Sequence, residues 1–203
     1  MRTVAILPVK SYDRAKSRLA GAVVPPGGAA AFGALDRASL AAAMAERVLD
    51  ALAGAERLDA VLVVTREEAA RAAALARGFE VVDEPVLAGH NAAAELGITR
   101  ALALGAERAL LVPGDCPLLA ADEVDGLLDR HPGRGVVVVP DRHRTGTNAL
   151  LLCPPDAIRP AFGPGSFARH LALAGDAAVD EVPGLLLDVD TGEDLAALHE
   201  AQR

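Results

Sequence analysis

Short apolar runs alternate with longer segments of helical period along the 203-residue chain. The runs are rich in valine and leucine and lack a polar face, which is typical of strands that are covered by helices on both sides. They predict strands at residues 3–9, 59–65, 109–113, 135–140 and 148–153. The alanine-, leucine- and arginine-rich segments between them predict helices at residues 35–53, 67–77, 92–104 and 121–130.

This alternation predicts a mostly parallel sheet with right-handed crossovers, and therefore a doubly wound, three-layer α/β/α domain. We expect residues 1–203 to form a single domain, since this length suits one hydrophobic core. In such sheets, ligands bind beyond the carboxyl ends of the strands. The stretch 21–34, which contains the run PPGG, is predicted to be a flexible loop, either a lid over a site or a tolerated insertion.

Composition narrows the class of protein. Hydrophobic residues make up 52% of the chain and aromatic residues only 2%, so we expect a core of alanine, valine and leucine. The net charge of -8 argues against a surface that coats nucleic acid, and no apolar run approaches the length of a membrane span. The first apolar run is too short for a signal peptide, and Cys116 and Cys153 lack metal-ligand spacing. We therefore predict a cytoplasmic protein without nucleic-acid or membrane partners; a homodimer is compatible with the sequence, and the oligomeric state stays open.

Both lysines of the chain lie just after the first predicted strand, at Lys10 and Lys16, although the chain has 20 lysine and arginine residues in all. Arg14 and Arg18 add two more cations to the same loop. Ammonium groups are compact charges that can follow a phosphate during a reaction. The loop therefore has the features of an electrostatic clamp for a polyphosphate, with a solvated basic face as the alternative.

Carboxylates end two apolar runs. Asp115 follows residues 109–113 in a Gly-Asp-Cys-Pro turn, and a further predicted strand, in LLLDVD, ends at Asp188 and Asp190. The strand period of two places Asp188 and Asp190 on one face, where two like charges suit a shared divalent cation such as Mg²⁺. Two alternatives stay open: Asp190 and Glu193 fit a capping box of the last helix, and Asp115 fits a turn or a helix cap.

Three loops are candidate binding sites for a small ligand. Thr147 and Asn148 lie at the entrance of a predicted strand and could hold an anion through their hydroxyl and amide groups. Gly163 and Ser166 lie at a predicted helix start, where backbone N–H groups bind anions; ordinary turns and caps are the alternative for both loops. Asn91 either caps a helix or contacts a nucleotide. The five histidines show neither metal-ligand spacing nor a serine or cysteine partner.

Seven ordered blocks make the sequence similar to the 2-phospho-L-lactate guanylyltransferase family, whose bacterial members act as phosphoenolpyruvate guanylyltransferases in the biosynthesis of coenzyme F-420. The blocks are LPVK…AKSRLA, LAAAMAERVLDAL, GHNAAAELG, VPGDCPLL, PDRHRTGTNALLL, FGPGSFARH and LDVDTGEDL. They span nearly the whole chain, which makes the resemblance far more specific than any single block. It implies a Rossmann-like nucleotidyltransferase fold, related to the enzyme that guanylylates molybdopterin. Residues 21–34 are longer and richer in glycine and proline than the family pattern.

The resemblance and the residue patterns together assign roles to the candidate residues. The ligands of Mg²⁺, beside the phosphates, would be Asp115, Asp188 and Asp190. The catalytic residues would be Asp115, Lys16 and Arg18. The nucleotide, GTP, would be contacted by Lys10, Lys16, Arg18, Asn91 and Gly114. The acceptor, phosphoenolpyruvate or 2-phospho-L-lactate, would be held by Thr147, Asn148, Gly163 and Ser166.

The chemistry implied by the resemblance needs few catalytic groups. The acceptor is a phosphate monoester, already an anion near neutral pH, so its attack on the α-phosphorus of GTP requires no general base. Alternatives are a Mg²⁺-dependent nucleotidyltransferase acting on molybdopterin or a sugar phosphate, a metal-dependent glycosyltransferase, and a non-catalytic nucleotide-binding regulator. The residues alone distinguish neither phosphoenolpyruvate, 2-phospho-L-lactate and 3-phosphoglycerate from one another nor GTP from other nucleotides.

Overall fold

A computed structural model describes residues 1–12, 36–84 and 89–202. Strands from these residues form one seven-stranded sheet. They are β1 (Thr3–Val9), β2 (Ala60–Thr65), β3 (Glu80–Asp83), β4 (Arg108–Leu111), β5 (Gly135–Pro140), β6 (Thr147–Cys153) and β7 (Ala178–Val179). The helices of the described residues are α1 (Arg37–Gly54), α2 (Glu68–Ala76), α3 (His90–Ala103), α4 (Ala121–Arg130), α5 (Ser166–Ala174) and α6 (Gly192–Ala201).

The strands lie in the order β3-β2-β1-β4-β6-β5-β7. Neighbouring strands are parallel except at β6, which runs antiparallel to both β4 and β5. Only residues 141–146 join β5 to β6, and so short a link cannot cross over to a parallel neighbour. The predicted mostly parallel, doubly wound sheet is confirmed, with this one reversed strand.

The two faces of the sheet carry separate hydrophobic cores. On one face, strand residues such as Leu7 and Val63 pack with α1, α2 and α4, whereas on the other face Ile6 and Leu62 pack with α3 and α5. Helix α3 lies so close to β1 that a side chain at Gly97 would collide with Ile6. Helix α6 packs on α1 through a third apolar cluster. The three-layer arrangement predicted from the apolar runs is therefore confirmed.

The sequence-based strand assignments differ from the structure at three places. They missed β3, which has four residues and an acidic residue at each end, and β7, which has two exposed residues. The strand predicted before Asp188 is wrong, because Pro183–Leu185 forms a 3₁₀ turn. Gly184 in that turn lies so near the backbone of Leu118 that a Cβ would come within 2.6 Å of its carbonyl oxygen. Apolar character in this segment thus reflects packing rather than a place in the sheet.

The predicted loop 21–34 and most of the predicted cationic loop lie in residues 13–35, outside the described part of the chain. Among the residues that are described, no helix combines the length and the apolar character needed to cross a membrane.

Candidate active site

The carboxyl ends of β1 and β4 lie side by side and open into a cavity of about 260 Å³. Strand β1 leads into Lys10, β4 leads into Gly114 and Asp115, and α3 contributes His90 from its first position; all four residues line the cavity. Asp190, from the segment before α6, lies in the same wall. Residues predicted to bind phosphate and metal thus come together from distant parts of the sequence.

Asp115, Asp188 and Asp190 form an electrostatic cluster, called here the carboxylate cluster. The N–H of Val189 donates to the backbone carbonyl of Asp115 at 3.1 Å, which holds segment 188–190 beside the turn after β4. The pKa of Asp188 is raised, first by burial of its carboxyl group and then by the nearby charge of Asp115, with a smaller contribution from Asp190. The Asn148 amide, which donates to Asp188 Oδ1 at 3.2 Å, opposes this rise. The charges of the cluster therefore repel one another.

This repulsion fits a site for a divalent cation. Among the described residues, no three carboxylate, imidazole or thiol groups form a complete set of protein ligands for a metal ion. Mg²⁺, however, is usually bound through one or two carboxylates together with water and substrate phosphates. An incomplete set of oxygen ligands next to a phosphate-sized cavity suits such an ion, and the carboxylate cluster supplies the residues that would hold it.

A helix cap does not account for Asp190. The N-cap of α6 is Thr191, whose N–H donates to Asp194 at 2.8 Å and whose hydroxyl accepts from the Asp194 N–H at 3.3 Å. The predicted capping box of Asp190 and Glu193 is therefore wrong by one residue, because Thr191 and Asp194 have the required three-residue spacing and geometry. The Asp190 side chain instead lines the cavity.

Asp115 lies in the turn after β4, and the N-cap of the next helix, α4, is Ala120. The turn interpretation of Asp115 is thus right and the cap interpretation wrong. The neighbouring Gly114 has space around it: a Cβ there would be 3.8 Å from Ala45 and 3.9 Å from Leu7, which are ordinary contacts. Packing within the protein does not require glycine at position 114, whereas a ligand that approaches the backbone would.

A second cavity, of about 140 Å³, adjoins the first and shares Pro8, Val9, Lys10 and His90 with it. Its described lining is mainly apolar and includes one carboxylate, that of Glu84, which follows β3 and is 9% exposed. A continuous surface therefore runs from the carboxylate cluster, past Lys10, to Glu84. No motif in the sequence marks Glu84, because its place in the cavity depends on the pairing of β3 with β2.

His90 stands between the two cavities. The pKa of His90 is lowered to about 4, first by burial and then by the charge of Lys10, while the charge of Asp115 opposes the shift. The imidazole is therefore neutral near pH 7. The N-cap of α3 is Gly89, with φ of 96°, a conformation that favours glycine. This N-terminus, with no acidic residue in its first turn, faces the cavities and favours an anion there.

Asn91 holds the backbone of Phe162. Its Nδ2 donates to the Phe162 carbonyl at 3.2 Å, and its Oδ1 accepts from the Phe162 N–H at 2.7 Å. The Phe162 ring meets the His90 ring edge-on at 4.9 Å. Because Gly89 is the N-cap of α3, the capping role considered for Asn91 is wrong; the predicted nucleotide contact stays a prediction. The observed contacts place Asn91 beneath the loop that leads to Gly163.

The two predicted acceptor loops lie against each other. The loop 163–165 ends at Gly165, the N-cap of α5, and both Gly163 (φ 117°) and Gly165 (φ 73°) have conformations that favour glycine. Ser166 is buried and its N–H donates to the Gly163 carbonyl at 2.9 Å. The next N–H, that of Phe167, donates at 3.3 Å to the backbone carbonyl of Thr145, which lies just before β6. Predicted residues from positions 147–148 and 163–166 are therefore neighbours.

His170 is a residue of this region that sequence reasoning missed. It lies on α5, its ring is fully buried, and its Nδ1 is 2.9 Å from the hydroxyl of Thr147. The spacing of four residues between Ser166 and His170 was the available signal, since it places both on one face of a helix.

The predicted catalytic residues Lys16 and Arg18 lie outside the described residues, as does Arg14. Lys10 is the one cation of the predicted loop that the structure describes, and it lines both cavities. The phosphate-binding role of the loop therefore stays a prediction for the other three.

Phosphate groups suit the larger cavity, and the carboxylate cluster suits a cation that accompanies them. A site of this kind at the carboxyl edge of an α/β sheet fits a nucleotidyltransferase. Residues 3–200 match the family described as guanylyl transferase CofC like, and the chain belongs to this family.

Similar proteins agree with this class. A relative from Conexibacter woesei, named phosphoenolpyruvate guanylyltransferase, is 45% identical over 208 residues, which cover 98% of this chain and 88% of the relative. A solved nucleotidyl transferase from Methanothermobacter has a TM-score of 0.70 at 15% identity, over 98% of this chain and 97% of that chain. A Mycobacterium tuberculosis protein solved in complex with manganese has a TM-score of 0.61 at 18% identity, over 99% of this chain and 100% of that chain. The two structures share the fold.

Proposed function

We propose that the protein transfers GMP from GTP to the phosphate of phosphoenolpyruvate, with release of pyrophosphate, in coenzyme F-420 biosynthesis, and that residues 1–203 form a single domain for this task. The observation that carries the proposal is the carboxylate cluster beside Lys10, at the carboxyl ends of β1 and β4. The name of the 45% identical relative supports the same acceptor.

The triphosphate of GTP would occupy the larger cavity and the guanine the smaller one. Lys10 lines both and would meet the phosphates, joined by the predicted contacts of Lys16 and Arg18. Guanine presents N1–H and its 2-amino group as adjacent donors, and the two oxygens of the Glu84 carboxylate are matching acceptors. Adenine presents an acceptor at N1 and would face Glu84 unfavourably. The smaller cavity therefore favours guanine over adenine.

A divalent cation, Mg²⁺, would be held by Asp115, Asp188 and Asp190. When bound, such an ion neutralises charge on the transferring phosphoryl group. The raised pKa of Asp188 supports the assignment, because its carboxyl group is partly buried among like charges that a cation would balance. The similar M. tuberculosis protein solved with manganese is consistent with a divalent ion in this fold.

The acceptor acid would lie against Thr147, Gly163 and Ser166. Thr147 offers its hydroxyl, and the N-terminus of α5 offers the positive end of the helix dipole; both suit the carboxylate and phosphate of a small phospho-acid. Asn148, next to Thr147, is linked to Asp188 by a hydrogen bond of 3.2 Å. This link supports placing the acceptor phosphate beside the carboxylate cluster, where the α-phosphate of GTP would lie.

The residues of the chain would then orient an in-line displacement. An oxygen of the acceptor phosphate attacks the α-phosphorus, and the bond from that phosphorus to the oxygen bridging to the β-phosphate breaks. Pyrophosphate leaves with the bonding electron pair, and the product carries a new P–O–P linkage. Lys10 stabilises the negative charge that gathers on the leaving group. No base is required, and the neutral His90 adds no charge to the site near pH 7.

Pyrophosphate release tests the proposal. Purified protein with GTP and Mg²⁺ is supplied with phosphoenolpyruvate, 2-phospho-L-lactate or 3-phosphoglycerate, and a mixture without acid is the control. We expect acid-dependent release that is fastest with phosphoenolpyruvate. Faster release with 2-phospho-L-lactate would mean that this acid is the acceptor and that the type of reaction is as proposed. No acid-dependent release with any of the three acids would contradict the proposal.

A further inference from the structure

His170 connects the two loops that are proposed to hold the acceptor. Its ring is fully buried on α5, with Nδ1 2.9 Å from Thr147 Oγ1 and Nε2 2.9 Å from the backbone nitrogen of Ala161. Phe162 packs edge-on against this ring at 5.1 Å. Thr147 begins β6, and Ala161 precedes the loop of Gly163, so one imidazole joins both sides of the proposed acceptor site.

The partners of His170 determine its tautomer. The N–H of Ala161 can only donate, so Nε2 must be the unprotonated ring nitrogen. In a neutral imidazole the proton then sits on Nδ1, which donates to Thr147 Oγ1. The ring is neutral near pH 7, because burial and, to a smaller extent, the charge of Arg169 lower the pKa of His170 to about 4.

This tautomer determines the direction in which the Thr147 hydroxyl can donate. Its oxygen accepts from His170, so the hydroxyl proton must point to another acceptor. Among the described residues, the His170 ring is the one hydrogen-bond partner of this hydroxyl. Thr147 itself is 8% exposed. The hydroxyl is thus an oriented donor whose second partner is not a described protein group.

We propose that His170 is a positioning residue, which fixes the Thr147 hydroxyl as a donor to the anionic carboxylate or phosphate of the acceptor. The inference rests on the function proposed above, since it assigns the acceptor as the missing partner. His170 acts through Thr147, and its bond from the Ala161 N–H fixes the tautomer and the place of the ring. It does not touch the substrate.

Two substitutions separate the two hydrogen bonds of the ring. His170→Asn keeps an N–H near the position of Nδ1, and His170→Gln keeps an acceptor near the position of Nε2. We expect His170→Gln to raise the KM for phosphoenolpyruvate by about tenfold or more, since an oriented hydrogen bond to a charged group is lost. The KM for GTP should not change, and His170→Asn should stay within roughly threefold of the wild-type KM for the acid.

A double-mutant cycle tests whether His170 acts through the hydroxyl. Thr147→Val removes the hydroxyl, so His170→Gln should add no further rise in KM for the acid in the Thr147→Val background. Additive effects would overturn the inference. The matched controls are Thr99→Val, at an exposed position of α3, and His199→Gln, at a half-buried position of α6. Thermal unfolding of each variant checks its fold.

NMR spectroscopy tests the hydrogen bond between His170 and Thr147 without turnover. In ¹⁵N-histidine-labelled protein, the ring resonances of His170, assigned by their loss in His170→Asn, should report the tautomer protonated at Nδ1. Protonation at Nε2 would overturn the inference whatever the activity. If the tautomer is as expected but no acid supports pyrophosphate release, the proposed function is wrong. In that case the acceptor is also not the second partner of the Thr147 hydroxyl.

Discussion

The two sides of the site are built in opposite ways. On the side of β1 and β4, the charges of the carboxylate cluster repel one another, and Asp115 and Asp190 line a cavity of about 260 Å³ together with residues of α1 and α3. On the side of β6 and α5, neutral groups satisfy one another: His170 bonds to Thr147 and Ala161, and Asn91 bonds to Phe162. The first side is charged and incomplete, whereas the second is already connected, and there the Arg169 guanidinium also donates to the carbonyls of Ala161, Gly163 and Pro164.

This difference indicates how the two substrates are handled. Under the proposed function, hydrogen bonds that already exist within the protein hold the donors in place before the substrate arrives, which favours the orientation of a small acceptor. Carboxylates that repel one another would be stabilised by the cation and phosphates proposed to bind there. We therefore expect substitutions in the carboxylate cluster to abolish turnover, and substitutions on the side of β6 and α5 to act mainly on the KM for the acceptor.

The largest effect is expected from Asp115→Asn. Loss of one metal-holding carboxylate should lower kcat by about a thousandfold or more, in line with losing electrostatic stabilisation of a phosphoryl-transfer transition state. Without metal, the variant should be at least as stable as the wild type, because one charge that raises the pKa of Asp188 is gone. Pyrophosphate release and thermal unfolding are the measurements, with the exposed Asp156→Asn as control. Near-normal turnover in a folded variant would contradict the assignment of Asp115 as a metal ligand.

Glu84→Gln tests the assignment of the smaller cavity to guanine. An amide offers one acceptor where the carboxylate offers two, so the preference for GTP over ATP, measured as the ratio of kcat/KM values, should fall by about tenfold or more. The kcat/KM for ITP, which lacks the 2-amino group, should fall less in this variant than the kcat/KM for GTP. The control is Glu68→Gln, at the exposed start of α2. An unchanged preference would place the base elsewhere.

Asn91→Ala decides to which side Asn91 belongs. Loss of its two hydrogen bonds to Phe162 should loosen the acceptor loop and raise the KM for phosphoenolpyruvate by roughly three- to tenfold. The KM for GTP should stay as in the wild type. The opposite pattern, a raised KM for GTP alone, would restore the nucleotide contact predicted from the sequence.

The smallest expected effect is on stability. Mg²⁺ should raise Tm by about 5–10 °C, since a ligand at about 100 times its Kd stabilises the folded state by about 2.7 kcal/mol. The pKa of Asp188 is raised by folding, so the metal-free protein favours the protonated carboxyl and loses stability as pH rises through this pKa. The gain from Mg²⁺ should therefore be larger above that pH than below it. In Asp188→Asn, the rise in Tm caused by Mg²⁺ should be mostly lost. A rise equal to that of the wild type would mean that the ion binds elsewhere.

The fold was predictable because apolar runs and helical segments alternate so regularly. Burial on both faces marks β1, β2, β4 and β6 in the sequence, whereas β3 lacks this signal because Glu80 and Asp83 bound two valines. Segment 185–190 shows the limit of the method: Leu187 and Val189 are buried and Asp188 is less so, as in a strand, but they face α1 and α6 and not the sheet.

The site was predictable only in part. Asp115 and Asp190 could be proposed from their places after apolar runs, but their proximity depends on the bond between Val189 and Asp115, which no local pattern encodes. The link between His170 and Thr147 likewise joins residues that are 23 positions apart. Its signal was the helix face shared with Ser166. Glu84 had no signal, since its role depends on a strand that the sequence did not reveal.

Direct observation of the product tests the central claim most closely. After incubation of the protein with GTP, Mg²⁺ and phosphoenolpyruvate, ³¹P NMR should show two mutually coupled doublets of equal intensity, from the former α-phosphorus of GTP and the former acceptor phosphorus. Free pyrophosphate should appear in equal amount. GMP and pyrophosphate without the coupled pair, or unchanged GTP, would contradict transfer of the guanylyl group to this acceptor.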